Sequence, residues 1–190
     1  NRLGHDIDGE AGGDNSGFSV SLSADGSFVA IGARNNNSNT GHVRVYQRDS
    51  TKTTADTVES SATFGPVGWN RVGHDIDGEA SSNFSGASVS LSADGLTVAI
   101  GAWGNNSNTG HVRVYQYDST KTTPDTVESS ATFGPVGWNR LGHDIDGEAS
   151  GDQFGHSVSL SADGLTVAIG AYGNDGNGNN TGHVRVYQLP

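Results

Sequence analysis

The sequence contains no cysteine and no methionine. Disulfides, thiolate metal sites and thiol nucleophiles are therefore excluded. Long hydrophobic runs are also missing, because no stretch approaches the roughly 18 apolar residues of a membrane span. The first residues, NRLGHDIDGE, have neither the charged start nor the apolar core of a signal peptide. We expect no membrane span, and any targeting segment of a secreted parent protein would lie outside these residues.

Basic residues are scarce, with 10 Lys and Arg against 21 Asp and Glu, which gives a formal charge of −11. Such a surface repels nucleic acid and anionic lipid. Cations, proteins and neutral ligands such as glycans remain as partners, so we expect a protein or glycan partner and no nucleic acid. The 32% hydrophobic content is low for one large core but suits a few small repeating units.

The chain is an internal repeat. His5, His74 and His143 open identical HDIDGEA heptads, so the period is 69 residues. Residues 49–80 match residues 118–149 at all but two positions, loops included, which recent duplication explains most simply. We divide the chain into repeats 1–47, 48–116 and 117–190, which together form one segment of a repeat architecture.

Each repeat shows four strand patterns. In the first repeat FSVSLS (18–23) alternates apolar residues with serines, and SADG then turns the chain back into FVAIGA (28–33). HVRVYQ (42–47) is the third pattern, and VGWNRVG (67–73) after Pro66 is the fourth. No segment has helical spacing. We therefore predict an all-β fold of β-propeller type, with four-stranded antiparallel blades that must stack to bury their faces.

Three motifs of the last repeat carry a family resemblance. FGHSV (154–158), VAIGA (167–171) and GHVRVY (182–187) resemble, in this order, the FG-GAP repeats of integrin alpha-subunit β-propellers. Ser16-Gly17 and Ser85-Gly86 stand where the family has FG. The resemblance implies an extracellular or cell-surface adhesion module. It does not carry over the calcium loop that the family places between FG and GAP, because only the SADG hairpin lies there.

The residues NRLG at the start match the tail of a fourth strand. Three blades are too few to close a ring. We therefore expect either a longer repeat array or a homo-oligomer, in which NRLG completes a blade that another chain begins.

Counted from the first aspartate of each heptad, carboxylates lie at positions 1, 3 and 5, and position 9 is an aspartate in two repeats and Asn83 in the other. This spacing resembles the ligand spacing of calcium loops. The predicted calcium ligands are Asp6, Asp8, Glu10, Asp14, Asp75, Asp77, Glu79, Asn83, Asp144, Asp146, Glu148 and Asp152. Two departures weaken this prediction, because glycine occupies position 4 rather than 6 and glutamate occupies position 5. The alternative is a tight Asp-Gly turn whose acids are solvated or cap backbone amides.

Other side chains suggest surface roles. Trp103 and Tyr172 occupy a position that varies between repeats beside a polar loop, so we predict that they contact a ligand or partner. Trp69 and Trp138 recur in the fourth strand and are expected to pack between blades. If the protein passes through a eukaryotic secretory route, the sequons allow glycans at Asn36, Asn83, Asn105 and Asn179.

We find no catalytic constellation. The acids recur in every repeat, whereas an active site normally breaks symmetry, and no nucleophile elbow, zinc helix or phosphate loop is present. The sequence therefore predicts a non-enzymatic module for adhesion, recognition or assembly. A glycan-binding lectin with repeated sites and a subunit of an extracellular filament are the alternatives.

Overall fold

The computed structural model describes residues 1–190 and is almost entirely β. Thirteen strands form three antiparallel sheets, which confirms the all-β prediction, and the sheets do not close into a ring. The helical elements are two four-residue turns, α1 (Asn36–Asn39) and α2 (Asn105–Asn108). Neither turn is long or apolar enough to cross a membrane.

The first sheet has the order β1-β2-β3-β4, with β5 also paired to β3. β4 pairs with residues 46–48 and β5 with residues 42–43, so the two short strands act as one interrupted fourth strand. The strands are β1 (Ser19–Leu22), β2 (Phe28–Ala33), β3 (His42–Arg48), β4 (Trp69–Arg71) and β5 (Ile76–Asp77). The first three match their predictions to within two residues. The fourth strand is shorter than predicted at 67–73 and resumes inside the acidic heptad.

The second sheet repeats this arrangement, with β9 and β10 both paired to β8. Its strands are β6 (Ser88–Leu91), β7 (Thr97–Ala102), β8 (His111–Tyr117), β9 (Trp138–Arg140) and β10 (Ile145–Asp146). The third sheet has only three strands, β11 (Phe154–Leu160), β12 (Thr166–Ala171) and β13 (His183–Gln188). One edge of β13 therefore has no partner strand.

The SADG hairpins form as predicted. In the first, the Asp25 carboxylate accepts hydrogen bonds from the Ser23 hydroxyl (2.7 Å) and from the Ser27 amide (2.9 Å). These bonds, chiefly those from Ser27, lower the pKa of Asp25 to about 2. A side chain that bonds its own turn in this way fixes the reversal between strands one and two.

The sheets stack face to face, with a glycine at each closest approach. A Cβ on Gly32 would lie 2.1 Å from the carbonyl oxygen of Gly86 in the next repeat, and one on Gly101 would lie 2.0 Å from that of Gly155. Such distances exclude any larger residue without movement of the backbone. Gly32 and Gly101 therefore set the spacing between successive sheets.

Two apolar layers fill the spaces between the sheets. The first packs Val43 and Val45 of the first sheet against Val89 and Leu91 of the second, and the other packs the second sheet against the third. Trp138 lies fully buried in the first layer, and its Nε1 donates to the carbonyl oxygen of Val72 (3.1 Å). Trp138 thus packs between sheets as predicted. The outer faces of the first and third sheets are uncovered.

Two long polar segments, residues 49–63 and 118–132, are each tied to the fourth strand of their sheet by a lysine. Lys52 Nζ donates to the carbonyl oxygens of Thr63 and Trp69, the latter at 2.8 Å. Lys121 makes the equivalent bonds to Thr132 and Trp138. Because the ammonium group binds these carbonyl oxygens, the first segment is held beside β3 and the second beside β8. We call these two segments the polar flaps.

Candidate functional site

The arginine of each third strand gathers acids from two successive loops. Arg44 in β3 donates from Nε and Nη2 to Asp75 (2.9 and 2.8 Å), and Nη2 also donates to Glu10. His42 lies beside this group, with Nδ1 3.6 Å from Glu10 and 3.9 Å from Asp75. Carboxylates from heptads 69 residues apart therefore meet at one buried guanidinium.

The second sheet repeats the cluster around Arg113. Its Nε lies 2.8 Å from Asp144, and its Nη2 donates to Glu79 and, at 2.9 Å, to Glu128. His111 Nδ1 lies 3.6 Å from Glu79. The third sheet contains only half of the arrangement. Arg185 pairs with Glu148 and has no second loop acid.

A second arginine in the fourth strand completes each full cluster. Arg71 Nη1 donates to both Asp75 and Glu59 at 2.7 Å, and its guanidinium lies 4.5 Å from the ring centroid of Phe64. Arg140 makes the equivalent contacts in the second sheet. Each first-position aspartate with a full cluster is thus held between two guanidinium groups, a charge-assisted arrangement stronger than neutral hydrogen bonds.

These surroundings shift several pKa values. Burial acts to raise the pKa of Asp75 and of Asp144, but hydrogen bonds and charges from the arginines outweigh it and the net shift is downward. Asp77 and Asp146 have raised pKa values, because crowded surroundings partly desolvate them and the neighbouring Asp75 or Asp144 charge disfavours their ionisation. Asp75 and Asp144 are therefore held ionised more firmly than Asp77 and Asp146.

Burial lowers the pKa of His111 to about 4, and the positive charges of Arg113 and Arg140 act in the same direction. The opposing charges of Asp144 and Glu128 do not overcome these effects. His111 is therefore neutral at pH 7 and acts in the cluster as an uncharged polar group.

The predicted calcium ligands do not converge loop by loop. Within one heptad, Asp75 binds Arg44 of the first sheet, whereas Glu79 binds Arg113 of the second. The third-position acids Asp8, Asp77 and Asp146 keep much of their surface in solvent, and the ninth-position residues Asp14, Asn83 and Asp152 are buried against the asparagine-rich loops. The donors of one loop thus have different partners in different sheets.

Two groups, each of one histidine and two acids, have the ligand spacing most similar to that of a metal site. The ligand atoms of Glu10, His42 and Asp75 lie within 4.8 Å of one another, as do those of Glu79, His111 and Asp144. In each cluster, however, the arginine already binds both carboxylates. The geometry therefore favours a guanidinium, and not Ca²⁺, as the positive charge that these acids surround.

The predicted contact residues Trp103 and Tyr172 occupy one equivalent position, and each ring contacts the ring of a neighbouring residue. Trp103 lies flat against Phe84, with ring centroids 4.7 Å apart, and is half-buried. Tyr172 is 56% exposed and meets His156 edge-on at 4.6 Å. The first repeat places Arg34 over the Phe18 ring at 3.6 Å. A different pair of side chains in contact therefore occupies this position in each repeat.

The asparagines of the four sequons differ in solvent exposure. Asn83 is only 6% exposed, which disfavours a glycan there and corrects its inclusion among the candidates. The half-buried amides of Asn36 and Asn105 donate to acids of the heptad loops. Asn179 is exposed. Of the four positions, Asn179 is the one best placed for modification.

Two equivalent clefts lie between the heptad loops and the polar flaps. The first has a volume of about 440 Å³ and is lined by Asp8, Arg44, Tyr46 and Phe64 among others. The second, of about 430 Å³, has Asp77, Arg113, Tyr115 and Phe133 at the corresponding places. Sequence reasoning missed these clefts, since the flap could be placed over the sheet only after folding.

A family model described as the FG-GAP repeat matches residues 145–187. The matched stretch runs from β10 into β13 and contains the three motifs that carried the resemblance, which is thereby confirmed. No curated protein sequence matches the chain.

Proposed function

We propose that the chain, whose third repeat belongs to the FG-GAP repeat family, is a non-enzymatic β-propeller-type module of the extracellular space or cell surface. Its function is adhesion or recognition. The observation that carries this proposal is the contrast between constant and variable positions. The hairpins and the first three strands repeat almost unchanged and two of the three sheets have the full arginine cluster, whereas the side-chain pair beside the asparagine-rich loop differs in every repeat.

This contrast is what a recognition scaffold requires. Three copies of one framework present three different contact groups at equivalent places, and aromatic groups with a partly exposed face supply large contact area at low entropy cost. The acids do not support a catalytic role, because most of them are bound to arginines or to the backbone. The acidic surface adds selectivity against other anionic surfaces.

Adhesion of cells to surfaces coated with the chain tests the proposal. We expect the paired variant Trp103→Ala and Tyr172→Ala to lose adhesion while keeping its unfolding midpoint. The control is Val58→Ala and Val127→Ala, which changes two exposed residues of the polar flaps. Equal adhesion by all three proteins, or none by the unmodified chain, would contradict the proposal.

A glycan-binding lectin is the second candidate, and the two equivalent clefts favour it. Each combines carboxylates with aromatic side chains and is large enough for one or two sugar rings. A glycan array in calcium buffer tests it against the variants Thr57→Trp and Thr126→Trp, which fill the clefts. Binding that the filled variants lose supports the lectin hypothesis, and an empty array counts against it.

Calcium stabilisation stays a prediction within this proposal. The heptad loops supply oxygen ligands of the kind that Ca²⁺ prefers. Arg44 and Arg113 compete for the same carboxylates. Replacement of one arginine therefore tests whether Ca²⁺ binds the carboxylates that the guanidinium group otherwise neutralises.

A further inference from the structure

A third cleft lies between the first two repeats, and we propose that it binds an acidic sugar, that is, a sugar ring that carries one carboxylate. Its volume is about 470 Å³. Its walls are the first polar flap at residues 60–62, the fourth strand at Arg71, Gly73 and His74, and Tyr117 with the start of the second flap. We call it the inter-repeat cleft. It shares no residue with the variable side-chain pairs or with the two clefts beside the heptad loops, so this site goes beyond the proposed function and does not depend on it.

The charged lining of the inter-repeat cleft differs from that of the other two clefts. Two bases, Arg71 and Lys121, and one acid, Asp118, line it. Each cleft beside a heptad loop is lined by one arginine and five acids. Asp118 is also engaged already, because its Oδ1 accepts from the amide of Thr120 (2.9 Å) and its Oδ2 from Asn139 (3.0 Å). Of the three clefts, the inter-repeat cleft is therefore the one in which a negative group does not meet an excess of acids.

The two bases keep hydrogen-bond donors for a ligand. Arg71 Nη1 binds Glu59 and Asp75, but Nε is buried and has no hydrogen-bond partner. A buried donor without an acceptor costs free energy, which an oxygen bound beside Arg71 would recover. The Lys121 ammonium has three N–H groups, and it uses two of them on backbone carbonyl oxygens of its own repeat. Each base therefore retains one donor for a carboxylate.

Polar side chains extend the binding groups to both walls. Ser60 lies on the first flap, Ser119 and Thr122 lie on the second, and all three are exposed. His74 is exposed in the same cleft. Hydroxyl groups both donate and accept hydrogen bonds, so they can bind the hydroxyl groups of a sugar as well as a carboxylate. The lining therefore suits a ligand that combines one negative group with several hydroxyls.

An aromatic side chain and the size of the cleft indicate a sugar and not a bare ion. Tyr117 lines the cleft and is half-buried, with its ring edge-on to Trp138 at 5.5 Å between centroids. A tyrosine combines an apolar ring with a polar hydroxyl, which suits the mixed surface of a sugar. The volume of about 470 Å³ equals that of roughly 15 water molecules, which is far more than a small inorganic anion fills.

The net charge of the chain limits how acidic the ligand can be. At −11 the chain repels an extended polyanion at long range. Charges farther from a bound group than the Debye length of about 8 Å at physiological salt are largely screened, so the bases of the cleft act on a small ligand more strongly than distant acids do. A sugar with a single carboxylate therefore fits the cleft better than a densely sulfated glycan.

Titration of the isotope-labelled chain with glucuronate, followed by NMR of the backbone amides, tests the proposal. Glucose is the same ring without the carboxylate, whereas acetate and sulfate are anions without the ring. With glucuronate we expect saturable shifts at residues 60–62, 73–74 and 118–122, and weaker binding as NaCl is added. Glucose, acetate and sulfate should each bind at least about tenfold more weakly, because each lacks part of the group that the cleft is built to bind.

Two added acids, one on each wall, test the location of the site. Ser60→Glu and Thr122→Glu should each weaken glucuronate binding at least about tenfold, because like charges then meet in the cleft. Both residues are exposed, so the fold should be kept, which circular dichroism checks. Thr53→Glu is the matched control, since Thr53 occupies the same position in the first flap, is exposed as well and does not line the cleft. It should bind glucuronate as the unmodified chain does.

The results that overturn the proposal are distinct from one another. No saturable shift with glucuronate would rule out the site, as would binding that Ser60→Glu and Thr122→Glu both retain. Glucose that binds as tightly as glucuronate would contradict the role of the bases. Acetate or sulfate that binds as tightly would contradict the assignment to a sugar. A failure of the adhesion proposal is separate, because the Trp103 and Tyr172 variants leave the inter-repeat cleft intact.

Discussion

The second and third sheets contain the same heptapeptide, GHVRVYQ, in different surroundings. It occupies residues 110–116 in one sheet and 182–188 in the other. Val112 is fully buried between sheets, whereas Val184 is 69% exposed. The Arg113 side chain is 8% exposed among three acids, whereas that of Arg185 is 37% exposed with one. Identical residues therefore contribute to stability according to the neighbouring repeat and not according to their own sequence.

The largest expected difference in the free energy of unfolding comes from placing the same charge in both strands. Val112→Asp buries a carboxylate between sheets, where no partner can reach it, and we expect it to cost more than about 4 kcal/mol. Val184→Asp changes an exposed position, so in dilute chain it should alter the free energy of unfolding by less than about 0.5 kcal/mol. Urea unfolding measures both values. Equal destabilisation by the two variants would mean that the sheets do not stack as described.

The arginines provide the next test. Arg113→Met removes the partner of Glu79 and leaves Glu128 and Asp144 with Arg140 alone, and we expect a loss of about 3 kcal/mol. Arg185→Met removes one solvent-exposed pair and should cost about 1 kcal/mol or less. The same urea titration compares them in dilute chain. If Arg185→Met lowered the free energy of unfolding as much as Arg113→Met, the buried cluster would contribute no more to stability than an exposed ion pair.

A smaller effect is expected from His111. Its pKa is about 4 in the folded chain and near 6.5 when unfolded, so the unfolded state binds more protons between these values. The free energy of unfolding therefore falls as the pH drops from 6.5 towards 4, by at most about 3 kcal/mol. The lowered pKa values of Asp75 and Asp144 add a further loss at still lower pH.

Replacement of the histidine isolates its contribution. His111→Gln should flatten the dependence of stability on pH between 6.5 and 4, whereas the exposed His143→Gln should leave it unchanged. Unfolding midpoints in urea at several pH values measure both slopes. An unchanged slope in His111→Gln would show that another group titrates in this range.

The sequence predicted most of the fold but not the arginine clusters. Alternation in SVSL, the Asp-Gly turns and the apolar HVRVY pattern are local signals, and the strands they predicted are present. The fourth strand was misjudged because Ile76 and Asp77 pair with β3 only once the chain has folded back. Arg44 was overlooked because its acids lie 31 and 34 residues away in the chain. Residue spacing within one heptad suggested a single ion instead.

The smallest expected effect concerns calcium. We expect saturating Ca²⁺ to move the thermal midpoint of the unmodified chain by no more than about 1 °C relative to EDTA, because guanidinium groups already bind the acids. In Arg113→Met the freed carboxylates should bind Ca²⁺ and raise the midpoint. A rise of several degrees in the unmodified chain would instead support calcium binding as the sequence predicted.

Hydrogen exchange along the repeated heptapeptide tests the central claim most directly, because identical sequences have nearly identical intrinsic exchange rates. Peptides that extend into different flanking residues distinguish 110–116 from 182–188 by mass. In dilute chain we predict strong protection of residues 112–115 and weaker protection of residues 184–187. Equal protection of the two strands would contradict this account.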